Sequence, residues 1–214
     1  LPLGPNVAMF LGHSTIRAFT MGLGKSLSTG NVPTKEELDQ MNQILKEALD
    51  CGYLGLSINL LEFDKMDGQE YRSRPTPSVF ANWKEYRYLF KTLRKRKRIL
   101  QTVPNIANPL TLFSFMWESK GIFQNGLKTS MLALADSKVF RGIHRILGLG
   151  SRMVNSLLNG AVKFQAVPVP FQIVTPGFDS PIFEEFETGT AYLHLEEVVK
   201  RRDLLKTPAY RKKF

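Results

Sequence analysis

Apolar residues alternate along this chain between short dense runs and stripes spaced three and four apart. Asn6–Gly12 (NVAMFLG) is a mostly apolar run closed by glycine, which predicts a buried strand. Tyr53–Asn59 (YLGLSIN), Ile99–Val103 (ILQTV) and Val162–Val167 (VKFQAV) repeat the signature. Lys128–Ala135 (KTSMLALA) fits a further strand, although its composition also suits a buried helix. Between the runs the period lengthens. Leu38, Met41, Leu45, Ala48 and Leu49 make one apolar stripe, and Trp83, Tyr86, Phe90 and Leu93 make another. The first of these helices opens with a capping box, Thr34-Lys35-Glu36-Glu37, and stops at Gly52. Asn108-Pro109 starts a third helix whose buried face is read as Leu112, Phe113, Met116 and Trp117. Residues Val139–Leu158 give a fourth, weakened in the middle by Gly148 and Gly150.

Ser14–Arg17 can open a short helix after the first strand. Gly22–Pro33 and residues 62–79 read as loops, and the helical pattern resumes at Phe80. From Pro168 the chain reads as loop and then short helices over Phe183–Phe186, Leu193–Leu205 and Pro208–Phe214. No repeat of fixed period is visible beyond the alternation itself. Strand–helix alternation over about five units predicts an α/β fold with parallel strands and helical crossovers. An open doubly wound sheet and an incomplete (β/α)8 barrel both satisfy it. A whole barrel needs eight units and about 250 residues. The Gly-x-Gly-x-x-Gly phosphate fingerprint is absent after the first strand.

Composition narrows the class little: 214 residues, 43% hydrophobic and 22% charged, are those of a globular chain. No apolar run approaches the roughly 20 residues of a membrane span. The single cysteine, Cys51, excludes an internal disulfide framework and makes a reducing, cytoplasmic setting the expectation. It reads as a small helix-end residue rather than a nucleophile. The chain opens Leu-Pro-Leu-Gly, without an initiator methionine or a signal-peptide pattern, so a start further upstream is expected. The net charge of +10 is concentrated. Residues 84–98 carry eight Lys or Arg and residues 200–213 carry seven. Such clusters can serve an acidic partner, or sit as solvated helix ends complementing the dipole. The solvated reading is preferred here, and nucleic acid is not expected as a partner.

One stretch carries more specific information. Asn6-Val7, Gly12-His13-Ser14, Arg17 and Met21-Gly22 are followed by Pro33-Thr34, Glu36-Glu37 and Met41. Then come Glu47-Ala48-Leu49, Gly52, Leu54-Gly55-Leu56-Ser57. Together these resemble the D-aminoacylase branch of the amidohydrolases, the N-acyl-D-amino-acid deacylases. The match is looser at Asp67-Gly68, at Pro75 and Pro77–Ala81, and at Leu204–Arg211. The resemblance implies a partial (β/α)8 TIM-type barrel of about five units. All 214 residues would form one partial domain, with the N- and C-terminal parts of the parent fold missing. It implies a hydrolase of carbon–nitrogen bonds other than peptide bonds, with an N-acyl amino acid as substrate. In that family a metal-bound hydroxide attacks the acyl carbon and an aspartate moves the proton. Zinc or another divalent metal is thus the cofactor implied for the parent. Its His-x-His pair would precede Leu1 and its aspartate would follow Phe214. The strand ends Gln101–Pro104 and Leu132–Ala135 lack the histidines of metal-bearing members, as a branch of the family also does.

No metal ligand set is therefore expected within this chain, where only His13, His144 and His194 occur. His144 and His194 read as surface or pairing residues. His13 and Arg17, after the first strand, could approach a substrate carboxylate, with Arg17 as a bidentate hold. The other reading is that His13 and Ser14 satisfy the backbone of the turn. Ser57 and Asn59 end the second strand and could line the site, as could Asp179 in a turn after Gly177. The alternative function is a non-catalytic remnant that binds an acidic partner through 84–98 and 200–213. An incomplete barrel also leaves two strand edges open, so self-association through them is expected.

Overall fold

The computed structural model describes residues 7–62, 64–66, 70–72, 74–105, 108–122, 125–134, 142–166, 187–193, 195 and 198–213. Five strands run parallel in the order in which they occur in the chain: β1 Phe10–Gly12, β2 Gly55–Asn59, β3 Ile99–Val103, β4 Lys128–Leu134 and β5 Ala161–Ala166. Each pairs with its neighbour in sequence. Parallel pairing of consecutive strands needs a crossover, and helices supply it. They are α1 His13–Met21, α2 Leu23–Ser26 and α3 Lys35–Asp50 after β1, then α4 Trp83–Lys95, α5 Pro109–Glu118 and α6 Ile143–Leu157 after the next three strands. The sheet has five parallel strands joined by four helical crossovers and does not close, the partial barrel expected above. Lys128–Leu134 is a strand, not a helix.

Register sorts the side chains. Leu11, Leu56, Leu100, Thr129 and Val162 lie side by side, and Ile58, Thr102, Met131 and Phe164 form the next row. These rows share one face of the pleat. They pack against Met41, Leu45 and Leu49 of α3, Leu89, Phe90 and Leu93 of α4, and Phe115 and Met116 of α5. The alternating row, Gly12, Ser57, Gln101, Ser130 and Lys163, faces away from that core.

Local chemistry fixes the helix ends. Thr34 Oγ1 accepts from Glu37 N–H and the Glu37 carboxylate accepts from Thr34 N–H, completing the capping box. Asn82 Oδ1 accepts from Glu85 N–H to start α4, and Asn108 Oδ1 accepts from Leu110 N–H to start α5. Gly52 has φ of 98°, the conformation that ends α3 beyond its cap residue, the exposed Cys51. Gly55 permits β2 to lie against β3: a Cβ there would fall 1.7 Å from the Ile99 carbonyl oxygen.

Several expectations shift. The 22–33 loop contains the short helix α2. α4 begins at Trp83, after a 3-10 turn at Pro77–Phe80. The described part of the fourth predicted helix begins at Ile143. On α5 the buried apolar side chains are Phe115 and Met116, whereas Phe113 and Trp117 are 48% and 54% exposed. The basic run that closes α4 is not uniformly solvated either. Arg94 is buried on the Glu118 carboxylate and carbonyl, and Arg96 pairs with Asp50. No helix among the described residues is long and apolar enough to cross a membrane.

The chain divides into two compact units. The sheet and α1–α6 belong to one, comprising Leu1–Leu61 and Pro77–Pro168. The other comprises Glu62–Thr76 and Val169–Phe214. It contains α7 Glu187–Leu193, α8 Val198–Lys206 and α9 Pro208–Lys213. Tyr210 donates to the Thr188 carbonyl, tying α9 to α7, and Lys65 bridges Pro75. Leu193–Leu205, expected as one helix, is shared between α7 and α8, and Phe183–Phe186 lies outside the described residues.

Candidate functional site

In a sheet of parallel strands the chemistry gathers at the carboxyl ends, where loops converge. β1 passes directly into α1 at Gly12-His13, so His13 occupies such an end. One helical turn later Arg17 lies on the same face. Both are fully buried, 0% exposed, and both reach Glu85 of α4, itself 1% exposed. His13 Nε2 stands 3.0 Å from Glu85 Oε1. Arg17 forms a direct ion pair with Glu85 Oε2. Its remaining donors go to the carbonyls of Ser26, at 3.3 Å, and Asn31, at 3.0 Å.

The other side of the imidazole meets the Pro77–Phe80 turn. His13 Nδ1 and Ser78 Oγ are 2.9 Å apart, with donor and acceptor set by the tautomer. Ser14 Oγ lies 2.7 Å from Ser78 Oγ and accepts from Ser78 N–H at 3.0 Å. Tyr86 donates its hydroxyl to the Ser78 carbonyl, and its ring stands edge-on to His13 with centroids 5.0 Å apart. Burial raises the Glu85 carboxyl, but His13 and the Arg17 guanidinium outweigh it and hold the group below its ordinary range. Burial, reinforced by the Glu85 charge, pushes the Tyr86 phenol up, so it remains a donor. Arg17 does hold a carboxylate, and that carboxylate is Glu85. His13 and Ser14 bond to Ser78 of the Pro77–Phe80 turn, not to the backbone of the turn between β1 and α1.

The outward row of the sheet is the second feature. Ser57 donates to Gln101 Oε1 at 3.1 Å, and Gln165 donates to Ser130 Oγ at 3.0 Å. Lys163 follows in register with Ser130 and is exposed. Four strands thus contribute a continuous polar strip. Asn59 ends β2 half-buried, with Oδ1 accepting from Leu61 N–H at 3.0 Å. Asp179 and His194 lie outside the described residues, and His144 is exposed on α6. Reasoning from the residues alone missed Glu85, Ser78, Gln101, Ser130 and Lys163. Among the described residues no three His, Cys, Asp or Glu side chains converge to hold a metal ion.

Comparison with known proteins adds a fold and a length. No family model matches the chain. An uncharacterized protein of Mycobacterium bovis is 44% identical over 216 residues, as is its equivalent in two strains of Mycobacterium tuberculosis. These alignments cover the whole chain but only 35% of the relatives, so the chain spans about a third of their length. Among solved structures it is similar to an N-acyl-D-glutamate deacylase from Bordetella bronchiseptica, crystallised with zinc and a phosphonate mimic of the reaction's tetrahedral intermediate. The TM-score is 0.58 at 19% identity, over 77% of this chain and 31% of that one. At that identity the likeness speaks for the fold alone.

Proposed function

We propose that this chain is part of a hydrolase of carbon–nitrogen amide bonds that acts on N-acyl amino acids, in the manner of the N-acyl-D-amino-acid deacylases. The observation that carries the reading is the polar strip Ser57, Gln101, Ser130 and Lys163 on the sheet face turned from the helices. In a barrel that face is the interior, and its carboxyl end opens into the site. A purely structural interior would be filled by branched apolar residues. Four adjacent polar positions suit a ligand with an amide and a carboxylate to be hydrogen-bonded. The order-preserving resemblance of the first 60 residues and the likeness to the solved deacylase support the same choice.

In this reading Ser57 and Asn59 line the substrate cavity. His13 and Arg17 are positioning residues. Through Ser78 and Glu85 they fix the β1–α1 turn against α4, which orients the strand end. The described residues do not fit a metal centre.

The test is direct. The protein at its full natural length is incubated with a panel of N-acyl-D- and N-acyl-L-amino acids, and free amino acid is resolved by chiral chromatography. Release from a D-substrate, reduced by Ser57→Ala in a protein of unchanged stability, is the expected result. No release from any N-acyl substrate, with or without added zinc, overturns the reading and leaves the non-catalytic alternative.

A further inference from the structure

The outer helices of a β-α layer normally turn polar residues to water. α5 and α6 do not. Leu110, Phe113 and Trp117 stand on the outer side of α5, and Leu149, Met153 and Leu157 on that of α6. They are 48 to 72% exposed. Their spacing of three and four places each set on one stripe, opposite the face that packs on the sheet. Between the two helices runs an apolar groove of about 680 Å³, bordered on the α4 side by Arg87. So large a continuous apolar surface marks a place of contact rather than random exposure.

The charges around it identify the contact. On one side α4 carries exposed Lys84, Lys91 and Lys95 along one face, while Arg87 between them pairs with Glu118. On the other, α6 carries exposed Arg145 and Arg152 beside Leu149. At the end of α5, Lys120 Nζ lies 3.7 Å above the Trp117 ring. The acidic residues of α4 and α5, Glu85 and Glu118, are buried and paired, and α6 has none. An apolar stripe with basic margins and no exposed acid is the pattern of a helix lying in a bilayer interface. A second copy of this chain would set basic margin against basic margin, which opposes self-docking.

We propose that the outer face of α5 and α6 docks on an anionic lipid surface, with the apolar stripes in the headgroup–acyl boundary and the flanking Lys and Arg on the headgroups. This is peripheral attachment, independent of the hydrolase reading.

The experiment is co-sedimentation of the protein at full natural length with vesicles of phosphatidylcholine, alone or with about one third phosphatidylglycerol. Binding to the anionic vesicles, a fall in binding as salt rises from about 0.1 to 0.5 M, and a blue shift of tryptophan fluorescence lost in Trp117→Phe are expected. Arg145→Gln with Arg152→Gln should weaken binding about five-fold per arginine. Leu149→Ser with Leu157→Ser should weaken it about ten-fold or more. Both pairs alter exposed positions, and circular dichroism verifies that the fold is kept. Failure to sediment with anionic vesicles overturns the proposal, as does binding indifferent to both pairs. A dimer in light scattering that dissociates in the leucine variant, without vesicle binding, would assign the face to a second copy instead.

Discussion

Removing Glu85 tests the central claim about the β1 end, that Arg17 is buried there only because a carboxylate faces it. Glu85→Leu leaves the start of α4 intact, since the cap uses the Glu85 N–H and Asn82 Oδ1. It leaves Arg17 at 0% exposure with the Ser26 and Asn31 carbonyls as its remaining partners, and no counter-charge. Stranding one member of a buried ion pair costs about 3–5 kcal/mol, whereas replacing both by apolar residues of similar volume is near neutral. Urea unfolding of the wild type, Glu85→Leu, Arg17→Met and the double variant therefore forms a cycle with a defined outcome. Each single variant should lose about 3–5 kcal/mol, and the double variant far less than their sum. The pH dependence gives a second readout. The folded Glu85 carboxyl lies below its unfolded value of about 4.3, so its contribution is complete above that value. It is lost as pH falls through the lower, folded value. In Glu85→Gln the acid limb of the stability curve should flatten. Additive losses in the cycle, or an acid limb unchanged by Glu85→Gln, would refute the reasoning.

Three further outcomes are expected. Gly55→Ala forces a methyl against the Ile99 carbonyl, so it should lower stability by at least about 1–3 kcal/mol, read by urea unfolding. Amide exchange should accelerate first in β2 and β3. Thr34→Ala removes half of an exposed capping box and should cost about 1 kcal/mol with the unfolding slope unchanged. Given hydrolysis of an N-acyl-D-amino acid, Ser57→Ala should raise KM about five-fold at similar stability, because one hydrogen-bonding group is lost. An unchanged KM would remove Ser57 from the cavity.

The sequence makes readable whatever rests on neighbours in the chain. Thr34 and Glu37 lie three residues apart, and the capping box they form is present. Ile99–Val103 is a strand from its first residue to its last because Pro104 and the basic run bound it. The misreadings arise where the deciding partner is remote. Arg17 and Glu85 are 68 residues apart, and nothing near Arg17 distinguishes an internal carboxylate from that of a ligand. The available signal lay on α4, where Glu85 shares the buried stripe of Leu89 and Thr92, an expensive place for a charge without a partner. The sheet row Ser57, Gln101, Ser130 depends on register between strands, which no single segment encodes. On α5, LTLFSFMW is apolar nearly all round, so its period does not choose a face. The choice of Phe115 and Met116 over Phe113 and Trp117 comes from the sheet beneath.

The order of the strands bears on how the molecule is made. Among the described residues, each of the five hydrogen-bonds only to strands adjacent to it in the chain. During synthesis, no described strand has to wait for a distant segment before finding its first partner. β2 can join β1 once Asn59 has cleared the ribosome, and every later unit adds to an existing edge. Assembly can thus advance in the direction of translation, one β-α unit at a time. The newest edge is then the part open to mispairing at any moment.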